Sequence, residues 1–404
     1  LYNYGTTPAL PYSDLNGFGH FLPAVLWFDG YWTCLAVALA GIAALFWVRG
    51  TPDGWRGRWR EACARLHGTV RMLIAVALLA FIATGAWIFY NTNVLNTYRN
   101  SEELNQQRAD YEKQYARYAG VAQPRITAVN ADVDIDPTQR RLHIVAHMTL
   151  VNRHDAPISE LHVNTDTGFK TTLAFAPHET VSMDRRLGYA IYKLKTPLAP
   201  GASMPFDATL DYDPRGFTNA PEGQFLAHNG TFFNSTVLPR FGYQPDNRLT
   251  DRNTRRKYGL KEDVPRMPPL GDEAARANTY ISNDSDWIHF ETTVSTADGQ
   301  IAMAPGYLQK EWHANGRHYF RYVMDQPMLD FFSWISGRYA VRKERWHDVA
   351  LEVYYNPEHG WNVDDMLRGA KDALSYYTTH FSPYQFRQLR ILEFPNYASF
   401  EIGR

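Results

Sequence analysis

Met72-Leu-Ile-Ala-Val-Ala-Leu-Leu-Ala-Phe-Ile-Ala-Thr-Gly-Ala-Trp-Ile-Phe-Tyr90 is the stretch of this sequence around which the rest can be ordered. It carries no charged side chain. At about 1.5 Å per residue, a helix of this length spans the roughly 30 Å hydrocarbon core of a bilayer. Trp87 and Tyr90 lie at its end, where amphipathic rings favour lipid headgroups. The stretch predicts a transmembrane helix, and a buried core helix of a soluble protein is the alternative.

A basic segment precedes this stretch and predicts its orientation. Residues 49–71 contain six arginines against Asp53 and Glu61, and short arginine-rich loops stay in the cytoplasm. The six are Arg49, Arg56, Arg58, Arg60, Arg65 and Arg71. Nucleic-acid binding is the alternative role of such a segment, but its place between two apolar runs favours a topology signal.

A second apolar run lies before the basic segment. It extends from Trp32 to Val48 and can be lengthened through Tyr31. Residues 1–31 hold no Lys or Arg, which favours an extracytoplasmic loop. Residues 32–90 are therefore predicted to form a transmembrane hairpin whose basic loop, 49–71, is cytoplasmic. The chain from residue 91 to 404 is then extracytoplasmic.

Composition narrows the possible functions of the remainder. The chain has 404 residues, enough for two or three domains, and its 41 Lys and Arg nearly balance its 42 Asp and Glu. No overall charge therefore favours nucleic acid. Cys34 and Cys63 are the only cysteines, so residues after 63 offer no disulfide, thiol nucleophile or thiolate ligand. The first methionine is Met72, and we expect a fragment of a longer protein.

Residues 91–123 are predicted to form a stalk helix. Within Asn91–Tyr118, Ser101 is a plausible N-cap, and apolar side chains follow at helical spacing. Those side chains are Leu104, Tyr111, Tyr115 and Tyr118. A solvated helix without any partner is the alternative.

The periodicity changes from helical to alternating at Pro124, and residues 124–356 are predicted to form one β domain. Short strands between Pro and Gly turns, with almost no helix, favour an antiparallel sandwich or saddle. The predicted strands are 126–135, 142–151, 158–165, 189–195, 206–212, 287–296, 317–324, 338–346 and 347–355. Residues 137–140 are predicted as a turn, and the polar stretch 243–276 as a surface loop with a helical turn.

A helix and a strand follow the β domain, so we place a domain boundary near residue 357. Asn362 is the predicted N-cap, with acidic residues in the first turn. One face of the helix is predicted to carry Leu367, Ala370, Leu374, Tyr377 and Phe381. Ser382-Pro383 ends the helix, and residues 389–394 are predicted as a strand. Residues 357–404 would begin a second domain.

The sequence assigns no catalytic, cofactor-binding or metal-binding residue. His143 and His147 are four residues apart, which on a helix would suit zinc, but they lie in a predicted strand on its solvated face. No H-E-x-x-H, G-x-S-x-G, G-x-x-x-x-G-K-[ST] or strand-borne G-x-G-x-x-G motif occurs. Asn229, Asn234 and Asn283 begin glycosylation-type tripeptides, a pattern common by chance.

Several stretches nevertheless resemble a known family. Residues 11–21, 90–96, 230–235 and 238–243 look like bacterial proteins in which an ABC-type permease region is fused to an aminopeptidase N-type (gluzincin) zinc metallopeptidase. Residues 381–384 and 391–395 are similar to that family's entry into its catalytic domain. The resemblance covers essentially the whole chain, in the family's order.

The resemblance implies a fold and a function. Residues 124–356 would be the N-terminal β-saddle domain, and 357–404 the truncated start of a thermolysin-like α/β domain. The family's zinc-binding H-E-x-x-H and later Glu are absent, and residues 400–404 depart from the family's pattern. No family residue can be carried over, so we expect a fragment inactive as it stands, with zinc only in the intact parent.

The resemblance also implies partners and a location. The fold class expected is membrane plus mainly β, in a bacterial inner membrane with residues 91–404 outside the cytoplasm. The lipid bilayer, an ABC ATPase subunit and a peptide substrate would be partners of the intact parent, and nucleic acid would not. The alternative function is a non-enzymatic extracytoplasmic binding or scaffold domain of a permease.

Overall fold

The computed structural model describes residues 4–47, 54–219, 225–262, 268–273, 275–277 and 281–396. The chain divides into two compact units. The first comprises Leu1–Tyr12, Phe18–Tyr98 and Pro214–Glu222. The second comprises Ser13–Gly17, Arg99–Asp213 and Gly223–Arg404.

The first unit is helical. Its helices are α1 (Leu22–Phe46), α2 (Gly54–Arg65) and α3 (Gly68–Phe89), and a π-helical turn, Tyr90–Leu95, follows α3. Gly41 lies against Ile74 so closely that a Cβ there would be 2.7 Å from the isoleucine Cγ1. Small residues let α1 and α3 approach in this way. The segments Gly19–Phe46 and Gly68–Leu95 are each long and apolar enough to cross a membrane, and the crossing itself stays a prediction.

Two boundaries predicted for this unit are wrong. Helix α1 begins at Leu22, within the predicted loop 1–31. Asp29 and Gly30 lie inside the helix and do not end it. Pro23 in the first turn suits a helix start, since its fixed φ is already helical. The basic segment 49–71 contains α2 and the start of α3 instead of a plain loop. Arg49 and Asp53 lie outside the described residues.

The second unit is mainly β. Strands β1 to β9 are Arg125–Asp136, Arg141–Val151, Ile158–Asn164, Lys170–Phe175, His178–Asp184, Tyr189–Leu198, Ser203–Tyr212, Thr231–Asn234 and Arg240–Phe241. Strands β10 to β17 are Ser285–Ala297, Ile301–Met303, Tyr307–Ala314, Arg317–Val323, Ser333–Gly337, Ala340–Trp346, Val349–Tyr355 and Gln388–Leu392. The helices are α4 (Ser101–Tyr115), α5 (Arg252–Lys257) and α6 (Val363–His380).

These strands form four sheets. The largest has the order β12-β13-β10-β1-β2-β7-β4, and a four-stranded sheet has the order β5-β6-β3-β9. Two three-stranded sheets are β11-β14-β8 and β15-β16-β17. Inward-facing side chains of the first three sheets share one core, which includes Ile144, Val163, Phe206, Phe290 and Trp334. Alternation of apolar residues in β1 and β2 places one face of the largest sheet in this core.

The sheets are not wholly antiparallel, contrary to prediction. Strand β1 pairs with β10 in parallel, with Val133 opposite Val294, and β16 pairs with β17 in parallel. Parallel neighbours need a long crossover connection, and local sequence patterns do not report which distant strand will supply the partner.

Helix α4 packs on the β domain and is not a solvated helix, and its role as a stalk stays a prediction. Its N-cap is Asn100, one residue before the predicted Ser101, and it forms a capping box with Glu103. The buried Tyr115 ring stacks on Tyr189 of β6 with centroids 3.9 Å apart. Tyr111 is also buried and donates a hydrogen bond to Asn164 Oδ1. The helical spacing of the tyrosines therefore marks the face that packs on the β domain.

The predicted boundary at residue 357 divides a packed unit. Strands β15 and β16 precede it, yet β16 pairs with β17 and packs on α6 through Leu351, Val353 and Leu367. The helix is preceded by a 3₁₀ turn, and Asn362 makes no side-chain cap. We call residues 340–396 the α/β module. It begins at β15 because the hydrophobic contacts that hold α6 come from β15 and β16.

Candidate functional site

His143 and His147 lie on the exposed face of β2, as the alternation of the strand predicts. Each Nδ1 atom is 2.7 Å from a carboxylate of the neighbouring strand β7, Asp211 for His143 and Asp207 for His147. The two histidines therefore face different carboxylates, four residues apart along a strand. At about 3.3 Å per residue this spacing is roughly 13 Å, too far for one ion with bonds of about 2 Å.

Among residues 4–396, outside their undescribed gaps, no three His, Cys, Asp or Glu side chains group as a metal site requires. The histidine pair does not fit the ligand set of a catalytic zinc, which takes three protein ligands around one open position. That the chain itself binds no zinc stays a prediction.

The three glycosylation-type asparagines are used within the fold. Asn229 accepts a hydrogen bond from the Arg338 backbone N–H, and Asn234 Oδ1 accepts one from the Thr236 N–H. Asn283 Nδ2 donates to the Tyr243 carbonyl at 3.1 Å. Asn234 fixes a local turn, whereas Asn229 and Asn283 join segments that are distant in the sequence, so a structural role accounts for each of them.

The side chains that most clearly organise a site lie where the α/β module meets the large β core. Arg390 of β17 donates from Nη1 to the Ala304 carbonyl and from Nη2 to the Gly306 carbonyl, both at 2.9 Å. Its guanidinium also lies 5.1 Å from the Tyr322 ring centroid. A planar guanidinium can make these contacts at once, which fixes the position of β17 against the loop 304–306.

Glu352 of β16 completes this network. Burial alone would raise the pKa of its carboxyl, but a hydrogen bond from Tyr354 and ion pairs with Lys343 and Arg390 outweigh burial and lower the pKa. Burial raises the pKa of Tyr354, and the neighbouring carboxylate raises it further. Glu352 is therefore ionised and Tyr354 is neutral at neutral pH, which keeps the donor and acceptor roles fixed.

A second polar cluster lies at the end of β17. His359 Nδ1 is 2.7 Å from Glu393 Oε1, and its Nε2 is 3.7 Å from Asp14 Oδ2. The other Glu393 oxygen accepts the Asn356 backbone N–H at 2.7 Å. The Asn356 side chain donates in turn to the Asp14 carbonyl. The segment Ser13–Gly17, the turn before α6 and the residues after β17 are thereby tied together.

A cavity of about 320 Å³ lies beside Arg390. It is lined from the β core by Met303, Gly306 and Ile335, and from the α/β module by Tyr384 and Leu392. Its walls are mostly apolar with a few convergent polar groups, as is common for small-ligand pockets. Arg390 and His359 are not predictable as site residues from the sequence, because their partners come from distant segments. Glu393 is marked in the sequence only by its place in the family-like run 391–395.

The α/β module also has an uncovered side. Strand β17 pairs with β16 on one edge, and no strand in the described part of the chain pairs with its other edge. Tyr377 of α6 is 58% exposed and Phe381, directly after the helix, is 74% exposed, although the prediction places both on one apolar helix face with Leu367 and Leu374. An open strand edge and exposed aromatic rings are each typical of a sheet and a helix on which further elements pack.

Replacing Arg390 by Met should loosen β17 locally. The substitution keeps most of the aliphatic volume but leaves two carbonyls without their donor, a loss of about 2 kcal/mol in the local opening free energy. Hydrogen exchange of the 388–392 amides in the whole chain measures this. Arg387→Met is the matched control, because Arg387 pairs with Asp325 at the surface. Equal exchange in both variants would contradict the anchoring role.

This chain is similar to known proteins in structure only. No family model matches the chain, and no curated protein matches it. Among solved structures, an M1 zinc metallopeptidase from Deinococcus radiodurans is 14% identical with a TM-score of 0.44, covering 68% of this chain and 57% of that one. A two-domain M1 zinc metallopeptidase mutant bound to L-arginine is 13% identical with a TM-score of 0.44 and the same coverage. The chain thus spans 57% of the length of each, and the similarity is distant.

Proposed function

We propose that this chain is part of a membrane-bound zinc aminopeptidase and forms the β domain and the first elements of its catalytic domain. The proposal goes beyond the distant structural similarity, which concerns the fold alone. It is supported by the family-like stretches in the sequence, which occur in the family's order.

The α/β module is the observation that carries the proposal. Its mixed three-stranded sheet, one covering helix, open β17 edge and exposed aromatic face form an α/β layer with one side uncovered. An independent binding domain would be expected to cover such an edge or charge it. Further strands and helices of a catalytic domain would cover it by adding to β17.

The zinc chemistry is proposed only for the intact enzyme. The histidines of this chain do not fit a zinc ligand set, as the separate His143–Asp211 and His147–Asp207 pairs illustrate. No catalytic step is therefore assigned to residues described here. The part proposed for the β domain is to form one wall of a peptide groove and to hold β17 in position through Arg390.

The membrane-related parts of the hypothesis are proposals as well. The two long apolar helices are compatible with a bacterial inner-membrane location and an extracytoplasmic β domain. Fusion to a permease region and association with an ABC ATPase follow only from the sequence resemblance. A reporter fused after Asn100 tests the topology: activity of an export-dependent reporter supports it, and activity of a cytoplasm-dependent reporter contradicts it.

The purified 404-residue chain is expected to hold no stoichiometric zinc and to leave aminoacyl p-nitroanilides uncleaved. The reason is that the described residues offer no three-ligand arrangement. Elemental analysis and a chromogenic assay of the detergent-solubilised chain measure this, with His143→Ala as the matched variant. One tightly held zinc per chain, lost in that variant, would contradict the prediction.

The coding sequence after Arg404 tests the enzyme hypothesis itself. An H-E-x-x-H motif with a later Glu, and zinc-dependent release of N-terminal residues by the longer protein, would support an aminopeptidase. A longer protein that lacks the motif and is inert with aminoacyl substrates would favour the binding or scaffold domain instead.

A further inference from the structure

Helix α2 has two chemically distinct surfaces. At 100° per residue, Trp55, Trp59, Ala62 and Cys63 fall within one stripe, and Arg56 and Arg58 border it on opposite sides. The sequence pattern predicts a loop here whose arginines set the topology. As a helix, it presents an apolar stripe between cations.

The helix is held in place by only a small part of that stripe. Ala62 is buried in a cluster with Leu45 of α1 and Ile74 of α3. Arg65 donates to the Trp47 carbonyl at 2.6 Å and pairs with Glu61. These contacts hold the C-terminal half of α2 against α1 and α3, and they engage the Arg65 guanidinium.

The tryptophans of the stripe remain outside this anchor. Trp55 is 69% exposed and Trp59 54% exposed, and both rings lie 5.9 Å from the Phe46 ring at the end of α1. Phe46 is partly buried against the Ala62 cluster, and the two exposed tryptophan rings extend it into a continuous aromatic patch. Exposed tryptophan clusters at the end of an apolar helix are typical of the membrane interface.

The arginines beside the patch are available to a ligand. Arg56, Arg58 and Arg60 are exposed, and no carboxylate in the described parts of the chain pairs with them. A guanidinium binds phosphate oxygens in a bidentate manner. Three cations next to an aromatic patch therefore match a surface that offers phosphates beside hydrocarbon.

We propose that α2 is an interfacial helix that binds anionic phospholipids, with Trp55 and Trp59 in the headgroup boundary and Arg56, Arg58 and Arg60 on the lipid phosphates. The aromatic patch is continuous with the end of the apolar helix α1. This position favours a lipid surface as the ligand over a soluble phosphate or a nucleic acid. Basic amphipathic helices with tryptophans bind such surfaces by insertion and by charge.

Cys63 offers a reporter within the stripe. The whole chain carrying Cys34→Ser is labelled at Cys63 with an environment-sensitive dye and titrated in neutral detergent with phosphatidylglycerol or phosphatidylcholine. Blue-shifted emission is expected at concentrations about tenfold lower for phosphatidylglycerol, and salt should reduce this preference.

Three variants separate charge from insertion. Arg56→Gln/Arg58→Gln/Arg60→Gln should abolish the tenfold preference, whereas the matched triple Lys variant keeps the charge and should retain most of it. Trp55→Ala/Trp59→Ala should weaken the blue shift with both lipids. None of these variants alters Ala62 or Arg65, and circular dichroism checks that the helices persist.

The lipid titrations test the role of α2 independently of the proposed aminopeptidase activity. Equal titration by the two lipids in the parent chain, or an unchanged preference in the triple Gln variant, would overturn the proposal. Tighter binding of an oligonucleotide than of phosphatidylglycerol micelles would also overturn it and would favour the nucleic-acid alternative.

Discussion

Glu112→Gln should lower the free energy of unfolding of the second unit by about 3–5 kcal/mol, because it leaves a buried cation unpaired. Arg255 is 1% exposed, and its two terminal nitrogens donate to the two Glu112 oxygens at 2.7 Å each. The same guanidinium donates to the Leu249 and Lys261 carbonyls at 2.6 Å. The pair joins α4 to the polar segment around α5.

A double variant tests that explanation. Glu112→Leu/Arg255→Met removes both charges and should recover much of the stability, since an apolar pair has no desolvation cost. Glu102→Gln is the exposed control, because its ion pair with Lys257 lies in solvent and should contribute little. Two measurements on the solubilised chain compare the variants: the free energy of unfolding in denaturant, and the hydrogen exchange of the α4 amides. Equal loss in Glu112→Gln and Glu102→Gln would contradict the buried-pair account.

Asp330→Asn should stabilise the second unit at pH 8 by about 2–4 kcal/mol and have little effect at pH 4. Asp330 lines a cavity of about 220 Å³ together with Asp284 and Arg240. Burial, together with the neighbouring Asp284 carboxylate, raises the pKa of Asp330 to about 7, against the opposing effects of a hydrogen bond from Ser285 and the Arg240 cation.

The sign follows from the proton balance. Between pH 4 and 7 the folded chain keeps a proton on Asp330 that the unfolded chain releases, so the free energy of unfolding falls as the pH rises. Above pH 7 both states are ionised and this contribution no longer changes. Asparagine removes the titration, and thermal unfolding from pH 4 to 8 measures the difference. Asp155→Asn, at an exposed position, is the control; a similar pH profile in both variants would contradict the assignment.

The strands with clear alternation were predictable from the sequence. Residues 126–135 and 142–151 were predicted as strands, and the structure has Arg125–Asp136 and Arg141–Val151. Both alternate because one face lies in the core. The predicted turn between them is also confirmed, with Arg140 at φ 54°.

Strands without a buried face were missed. Strand β5 lies at a sheet edge, and nearly all its side chains are exposed, including the apolar Val181 and Met183. Alternating hydrophobicity reports burial rather than hydrogen bonding, so such an edge strand gives no signal. The prediction also omitted β4, β8, β9, β11, β12 and β14. Of these, β8, β11 and β14 are largely buried, but they are only 4, 3 and 5 residues long, too short for alternation to stand out.

Side-chain contacts between segments that are far apart in the sequence could not be predicted. His143 was correctly placed on a solvated face, but its contact with Asp211 depends on the pairing of strands 68 residues apart. The segment 243–276 was predicted as a surface loop, yet Arg255 within it is buried against Glu112, 143 residues away. A charged residue in a polar stretch gives no local sign that its partner is buried with it.

The parallel pairing of β1 with β10 at the centre of the largest sheet cannot form until the ribosome has synthesised β10. Thr292 Oγ1 of β10 donates to the Ala131 carbonyl of β1, 161 residues earlier in the chain. At about 5–20 residues per second, a ribosome takes roughly 8–30 s to make that interval. During this time the nascent β1 edge has no β10 to pair with, and such edges are prone to aggregation. Complete pairing of β1 with β10 is therefore expected only after translation has passed Ala297, and a chaperone that holds open strand edges should act before that point.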